Sequence, residues 1–478
     1  MLNASRRPIL LTHSNHLYSD PKQTQKMQPY PPLQTLLAAA VLRERGFPVA
    51  VFDTTLTAEP ARAFEQALAL YAPASILVCE DDFNFLTKMC LAQNRELAFH
   101  MAAAAHRHGI PIIAHGHDAS EHADAYIAAG FDSVIRGEVE DAIVELASHL
   151  PHADISGLVW KDADGRVQRN APRPLRTDLD ALPLPAWDLA GIEQYRAAWR
   201  QAHGYFCLNM VSSRGCPYRC NWCAKPIHGN SYHARSPRAV AREVLHLKRL
   251  YQPDQIWFAD DIFALSHRWT LEFCAAVREL DAAVPFKMQS RCDLMTRDTV
   301  AALRSAGACE VWMGAESGSQ RILDAMDKGI RVDQIHAARE SLKRHGIRAC
   351  FFLQFGYPGE GWDEIEATVR MVRETQPDDI GVSVSYPLPG TAFHRNVSTR
   401  IGQQAQWRNS SDLAMLFRGA YSTAFYRALA DALHLEVRGG NAAAIRRAWS
   451  RLHELRESEK SAPVPIFEPL PVLQAHSV

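Results

Sequence analysis

Through the first 150 residues, short wholly apolar runs alternate with longer segments whose apolar residues recur every third or fourth position. The runs in "RPILLTH", "PVAVFDTT", "SILVCEDD", "IPIIAHG" and "DSVIRGE" are too short for helices and lack polar alternation. That pattern predicts strands buried on both faces of a parallel sheet. "LQTLLAAAVLRERG", "AEPARAFEQALALYA", "ELAFHMAAAAHRHG" and "VEDAIVELASHL" carry helical spacing, and Gly46 stops the first of them. A strand–helix series of this kind predicts an α/β layer with helices on both faces of the sheet. Ligands of such sheets bind beyond the carboxyl ends of the strands. The loops that matter are therefore 13–28, 53–56, 80–85 and 115–120.

Residues 151–204 break the rhythm. "GLVWKDADGRVQRN" predicts a hairpin around Asp-Gly, and "RPLRTDLDALPLPAWDL" has too many prolines for a long helix. This stretch is read as a connector. Alternation resumes over 205–397 with strands in "FCLNMVSS", "QIWFAD", "PFKMQSR", "EVWMGAE", "ACFFLQFG" and "DIGVSVS", separated by helices such as "PRAVAREVLHLKRLY". Six βα units in succession predict a partial (β/α)6 TIM-type barrel, with its site at the C-terminal ends of the strands. Residues 398–460 predict a helical C-terminal cap, and 461–478 a flexible, proline-bearing tail. The aromatic segment 407–426 is expected either to cover a hydrophobic substrate or to pack as a helical core.

Composition adds bounds. The chain has 478 residues, 47% hydrophobic and 22% charged, which suits two or three soluble domains. Its 52 basic and 53 acidic residues balance, so no long-range field favours nucleic acid. No apolar run approaches the roughly 20 residues of a membrane span. The short apolar start reads as a strand and not a signal peptide, so a cytoplasmic protein is expected. Of ten cysteines, Cys79, Cys90, Cys207, Cys274, Cys292, Cys309 and Cys350 stand alone in apolar surroundings and are expected as reduced core residues.

The other three are different. "SSRGCPYRCNWCAKPIHG" places Cys216, Cys220 and Cys223 in a C-x3-C-x2-C array on the loop after the first barrel strand. Pro217 keeps the array from being one continuous helix. Structural zinc needs four closed ligands, which His228 or His233 would have to complete. An all-cysteine cluster lacks a fourth cysteine nearby. A [4Fe–4S] cluster with one iron left free by the protein is the remaining reading.

This loop, on this strand of a six-unit barrel and with aromatic Trp222 before the last cysteine, resembles that of radical S-adenosylmethionine (SAM) enzymes. The resemblance implies that Cys216, Cys220 and Cys223 hold the cluster and that SAM chelates the open iron. Reductive cleavage of SAM then yields a 5′-deoxyadenosyl radical. It also implies SAM contacts: Asp260 or Asp261 of "FADDIF" to the amino group, Arg291 to the carboxylate, and Glu316 of "GAESGS" to the ribose. Gly356, with Pro358, of "FGYPGE" would line the adenine, and "YPLPGT" at 386–391 would shape the substrate mouth.

A flavodoxin-like (Rossmann-type) domain ahead of such a barrel resembles the cobalamin-binding members of this family. "YPPLQTLLAAAVLRERG", "RGEVED", "LPLPAWDL" and "GAESGSQ" carry that resemblance in their order. No D-x-H-x-x-G string is present, and "HGHDASEH" has histidines at other spacings. The resemblance therefore implies base-off cobalamin without a histidine ligand, with His115 and His117 in supporting or surface roles. It implies a methyltransferase acting on an unactivated carbon of a small molecule, for which a hydrophobic one is the expectation, supplied with electrons by a flavodoxin or ferredoxin. The alternatives are a cobalamin-dependent oxidative cyclase, resembling the anaerobic ring-forming enzyme of chlorophyll biosynthesis, and a zinc-stabilised binding module. A tRNA-methylthiolating enzyme would want a second cysteine trio and a basic tail, and neither is found.

Overall fold

The computed structural model describes residues 7–225, 227–404 and 406–459. The segment 461–478, expected as a flexible tail, lies outside them. Five parallel strands open the chain: β1 (Ile9–Thr12), β2 (Val49–Phe52), β3 (Ser75–Cys79), β4 (Ile112–His115) and β5 (Ser133–Ile135). The apolar runs form these strands because helices cover both faces and leave few exposed positions. Leu10, Ile76 and Val134 face one helical layer, and Leu11, Leu77 and Ile135 the other.

The predicted hairpin forms as β6 (Leu158–Lys161) and β7 (Val167–Arg169). It does not stand apart. β6 pairs antiparallel with β5, so the first sheet has seven strands in the order β2-β1-β3-β4-β5-β6-β7. The connector also holds a helix, Ile192–His203, beyond its proline-rich part. Ile192, Tyr195 and Trp199 lie on one face at helical spacing and are buried, and Gly204 ends the helix in the left-handed conformation.

The second sheet begins with β8 (Cys207–Met210). A two-residue ladder follows, β9 (Ser213–Arg214) against β10 (His233–Ala234), and it closes the base of the cysteine loop. The sheet continues with β11 (Gln255–Phe258), β12 (Phe286–Ser290), β13 (Ala308–Glu316), β14 (Arg348–Phe355) and β15 (Asp379–Val384). All six strands are parallel in the order β8-β11-β12-β13-β14-β15. Neighbours in space follow chain order, as in a partial (β/α)6 barrel.

Beyond one 3-10 turn at Ser398–Arg400, the C-terminal region is α-helical only from Thr423. Helices Thr423–Val437 and Ala442–Ser458 pack as a pair. The described residues between 401 and 422 are irregular. Trp407, proposed from sequence as part of a substrate cover, is 1% exposed and stacks on Tyr386 with centroids 4.6 Å apart. It serves packing. Tyr426 is likewise buried. Six of the seven isolated cysteines are buried; Cys309 is only half-buried, because it sits where β13 bulges against β12.

Candidate active site at the carboxyl edges of the two sheets

The cysteine loop leaves β8 through Gly215, which has φ +77° and lies against the carbonyl of Ser231. An added Cβ would come within 2.5 Å of that oxygen, so the base of the loop requires glycine here. Asn221, between the second and third cysteines, anchors the tip. Its amide Nδ2 donates to Ala325 O at 2.8 Å and Asp327 Oδ2 at 3.0 Å, and its N–H donates to Met326 O. Its carbonyl groups accept from Phe393 N–H and the Tyr357 hydroxyl. Lys225 Nζ donates to the carbonyls of Cys216 and Tyr218 and to Asn230 Oδ1.

Cys216, Cys220 and Cys223 are free and half-buried. Burial pushes the Cys223 thiol up to about 12 and moves Cys216 the same way, with Lys225 opposing both. Among the described residues no group of three or more His, Cys, Asp or Glu is arranged to hold a metal ion. His228 lies 3.9 Å from Glu138, and His233 is in β10, so neither completes a four-donor zinc set. The donor chemistry still fits an iron–sulfur cluster: three reduced soft ligands on one short loop.

Four of the expected SAM contacts lie at the strand ends around this loop. Glu316 ends β13 with φ +59°, a conformation that non-glycine residues rarely hold. Lys328 Nζ donates to its Oε1 at 2.7 Å and lies 5.9 Å from the Trp222 ring centroid. Among the described residues the Trp222 indole N–H has no partner. Arg291 donates to Asp293 and to Lys328 O, both at 2.9 Å, and its guanidinium lies over Tyr218 at 3.7 Å. Lys328 and Arg291 thus pin the cysteine loop to the barrel.

Asp260 is fully buried. It accepts from Ser212 N–H and from the hydroxyls of Ser212 and Ser213, while burial lifts its carboxyl to about 6. Its oxygens position the strand end before the loop. Asp261 is more accessible and pairs with Lys88, which comes from the loop after β3 in the first sheet. Burial works against both charges, but the pairing keeps Lys88 up and Asp261 down. Gly356 follows β14 on another side of the barrel mouth; its N–H donates to Glu360, whose carboxyl burial lifts to about 8.

A second bridge joins the halves. Arg214, 5% exposed, donates to Glu138 at 2.6 Å and to Glu140, which also accepts from Gln34. Glu138 and Glu140 belong to the "RGEVED" string, whose role is now visible as a brace. Lys88, Lys328, Asn221 and Arg214 escaped the sequence reading, since a single charged or amide residue carries no spacing signal.

The edge of the first sheet faces the same region. Glu80, Asp81 and Asp82 follow β3 in succession, all buried. Asp81 accepts from the N–H groups of Leu33 and Gln34, the first residues of the helix Leu33–Glu44. His115 Nε2 lies 2.9 Å from Gly137 O and 3.4 Å from Asp82, and burial lowers its imidazole to about 4. Among the described residues, four buried polar atoms on this edge lack any partner, Glu80 Oε2, Asp82 Oδ1, His117 Nδ1 and Ser120 Oγ, as does His228 Nε2 of the cysteine loop. Unpaired buried polar atoms are costly, and a ligand bearing both donors and acceptors satisfies them. Cobalamin, rimmed by amides, has that chemistry.

Comparison with known proteins places these features. The Radical SAM superfamily profile matches residues 210–372, from the end of β8 into the helix after β14. An uncharacterized methyltransferase of Pyrococcus horikoshii is 27% identical over 316 residues, covering 62% of this chain and 68% of that protein. The anaerobic magnesium-protoporphyrin IX monomethyl ester cyclase of Rubrivivax gelatinosus is 25% identical over 288 residues, covering 57% of this chain. The chain spans half the length of that cyclase. The solved radical S-adenosylmethionine methyltransferase TsrM of Kitasatospora setae, with cobalamin and a [4Fe–4S] cluster bound, superposes with a TM-score of 0.67 at 18% identity. That match covers 82% of this chain and 78% of the other, and shows a shared fold. No helix among the described residues is long and apolar enough to cross a membrane.

Proposed function

We propose that this chain, whose residues 210–372 match the Radical SAM superfamily model, is a cobalamin-dependent methyltransferase acting on an unactivated carbon of a small molecule. The observation that carries this reading is the meeting of two edges: a three-cysteine loop on the barrel and a rim of unpartnered polar atoms on the first sheet. When bound, the cluster supplies the electron that cleaves SAM to the 5′-deoxyadenosyl radical, and cobalamin carries the methyl group.

Cys216, Cys220 and Cys223 would hold the cluster. Asp261 is better placed than Asp260 to receive the SAM amino group, because the Asp260 carboxylate is occupied by Ser212 and Ser213. Arg291 would face the SAM carboxylate, Glu316 the ribose, and Gly356 the adenine. Trp222 and Lys328 support the Glu316 side. Glu80, Asp82, His117, Ser120 and His228 would meet the cobalamin rim. His13 and His115 are already committed, to Asp53 and Thr54 and to Gly137, which leaves His117, with Nδ1 free among the described residues, as the histidine that would have to stay off the metal for base-off binding without a histidine ligand. A flavodoxin or ferredoxin in the cytoplasm would supply the electron.

A second reading has specific support. The Rubrivivax relative is a cyclase, and a cyclase would use the same cofactors without net methylation. The test is anaerobic reconstitution with iron, sulfide and cobalamin, followed by assay for 5′-deoxyadenosine and S-adenosylhomocysteine in the presence of cell extract. Both products are expected; 5′-deoxyadenosine alone favours the cyclase. Cys216→Ala, Cys220→Ala and Cys223→Ala are each expected to abolish cluster assembly and SAM cleavage. Stoichiometric zinc with no SAM cleavage ends the enzyme reading.

A further inference from the structure

The cations where the two sheets meet are held unequally. Arg214 is shared by Glu138 and Glu140, and Arg291 by Asp293 and the carbonyls of Lys328 and Gly329. Lys328 and its partner Glu316 are 7% and 5% exposed. Lys88 differs. Among the described residues its ammonium has one partner, Asp261 Oδ1, and the two side chains are 19% and 28% exposed. The pair spans the seam between the halves and borders open space.

Lys88 starts from a fixed point. It ends the one-turn helix Phe85–Lys88 on the loop after β3, and Asn84 caps that turn by accepting from Leu86 N–H at 3.0 Å. The Thr87 hydroxyl donates to the carbonyls of Asp81 and Asn84 at 2.6 and 2.7 Å. Asp261 lies just beyond β11, beside the cysteine loop. Burial raises the Cys216 and Cys223 thiols, and the Asp261 carboxylate adds to the rise in both. Burial opposes the Lys88 charge, while Asp261, Asp82 and Cys223 sustain it.

The two oxygens of Asp261 are used differently. Lys88 takes Oδ1, and among the described residues no hydrogen bond reaches Oδ2. Asp260 beside it has no such freedom, because Ser212 N–H reaches both of its oxygens at 3.1 Å. An ionised carboxylate next to a thiol-rich loop is opposed by burial and by like charge. A cation on one oxygen offsets both effects and fixes the direction of the other oxygen.

We propose that Lys88 is a positioning residue for SAM: it holds Asp261 through Oδ1, so that Oδ2 is presented, ionised, to the SAM amino group. The SAM site of the barrel is then completed by a residue of the first sheet's half. The amino-acid end of SAM is bound fully only when the two halves are docked. The inference rests on the assignment of Asp261 to the SAM amino group.

The experiment measures SAM binding by equilibrium dialysis with the full-length reconstituted protein, its cluster left oxidised so that no electron is supplied to cleave SAM. Lys88→Met should weaken SAM binding by about three- to fivefold, the factor that one partly accessible ion pair is worth. Lys88→Arg, which keeps the charge, should restore most of it. 5′-Methylthioadenosine, which lacks the amino-acid end, should bind wild type and Lys88→Met alike. In an Asp261→Asn background, Lys88→Met should add no further loss, because Lys88 acts through Asp261. Iron content and far-UV circular dichroism check that each variant folds and holds its cluster. Unchanged or tighter SAM binding by Lys88→Met overturns the proposal, as does an equal loss for 5′-methylthioadenosine or a full further loss in the Asp261→Asn background. If the wild-type protein binds no SAM, the radical SAM reading of the site falls; if it binds SAM and Lys88→Met matches it, only the role of Lys88 falls.

Discussion

The carboxyl edges of the two sheets carry their charges in opposite ways. At the barrel mouth, Glu316 meets Lys328, Arg291 meets Asp293, and both cations reach across to aromatic rings of the cysteine loop. At the edge of the first sheet, Glu80, Asp81 and Asp82 stand side by side and burial raises all three carboxyls, Asp82 most clearly. One edge is internally paired. The other keeps like charges and unpartnered atoms together, an arrangement that costs stability until a ligand completes it. The barrel half is thus built to hold a loop in place, and the sheet half to receive something.

That contrast can be broken. The largest effect is expected at Gly215→Ala, where the left-handed conformation and the Ser231 carbonyl both oppose a side chain. The base of the cysteine loop should fail to close, and reconstituted iron should fall to near background; iron retention at the wild-type level would show that the loop needs no such close approach.

Glu360 is an exception on the barrel side, a buried carboxyl lifted from 4.5 to about 8, chiefly by burial. A raised folded-state value means stability is present at low pH and lost as pH rises from about 4.5 through 8. Glu360→Gln removes that loss, so its advantage in thermal unfolding should grow between pH 5 and 8, on the order of a few kcal/mol, and level off above. A gain independent of pH would place the effect elsewhere.

Asp82→Asn tests the sheet edge by the same logic. The neutral amide should stabilise the ligand-free protein by about 1–3 kcal/mol at pH 8 and by little near pH 4, with weaker cobalamin retention. Destabilisation at pH 8 would mean the acidic edge is satisfied already. Lys88→Met is expected to have the smallest effect, about 1 kcal/mol, because the Lys88–Asp261 pair is partly accessible and water screens it. Loss of the whole folding transition in that variant would mean the bridge between the halves is structural and not an adjustment.

The cysteine loop was legible because its three thiols sit within eight residues of one another, and the strands of the first sheet because helices on both faces force wholly apolar runs. The helix Ile192–His203 was overlooked beside a proline-rich stretch, although Ile192, Tyr195 and Trp199 have helical spacing. The hairpin was read correctly as a hairpin, but its pairing with β5 depends on an exposed sheet edge. The cap was expected from residue 398 and turns helical only at Thr423, because Trp407 and its neighbours pack as irregular chain. Asn221, Lys88 and Lys328 were invisible because their partners lie 12 to 173 residues away.

The sequence by itself determined the local chemistry: which runs become strands, where a thiol-rich loop leaves the barrel, and that no histidine sits in D-x-H-x-x-G spacing. Those features depend on neighbours along the chain, where periodicity and ligand spacing act directly. Only the tertiary structure decided that Asp260 is tied to its own loop while Asp261 bridges to Lys88, that Glu316 is held by Lys328, and that Trp312 stacks on Phe352. The physical reason is that burial and charge pairing are set by which side chains folding brings within a few ångströms, whatever their separation in the chain.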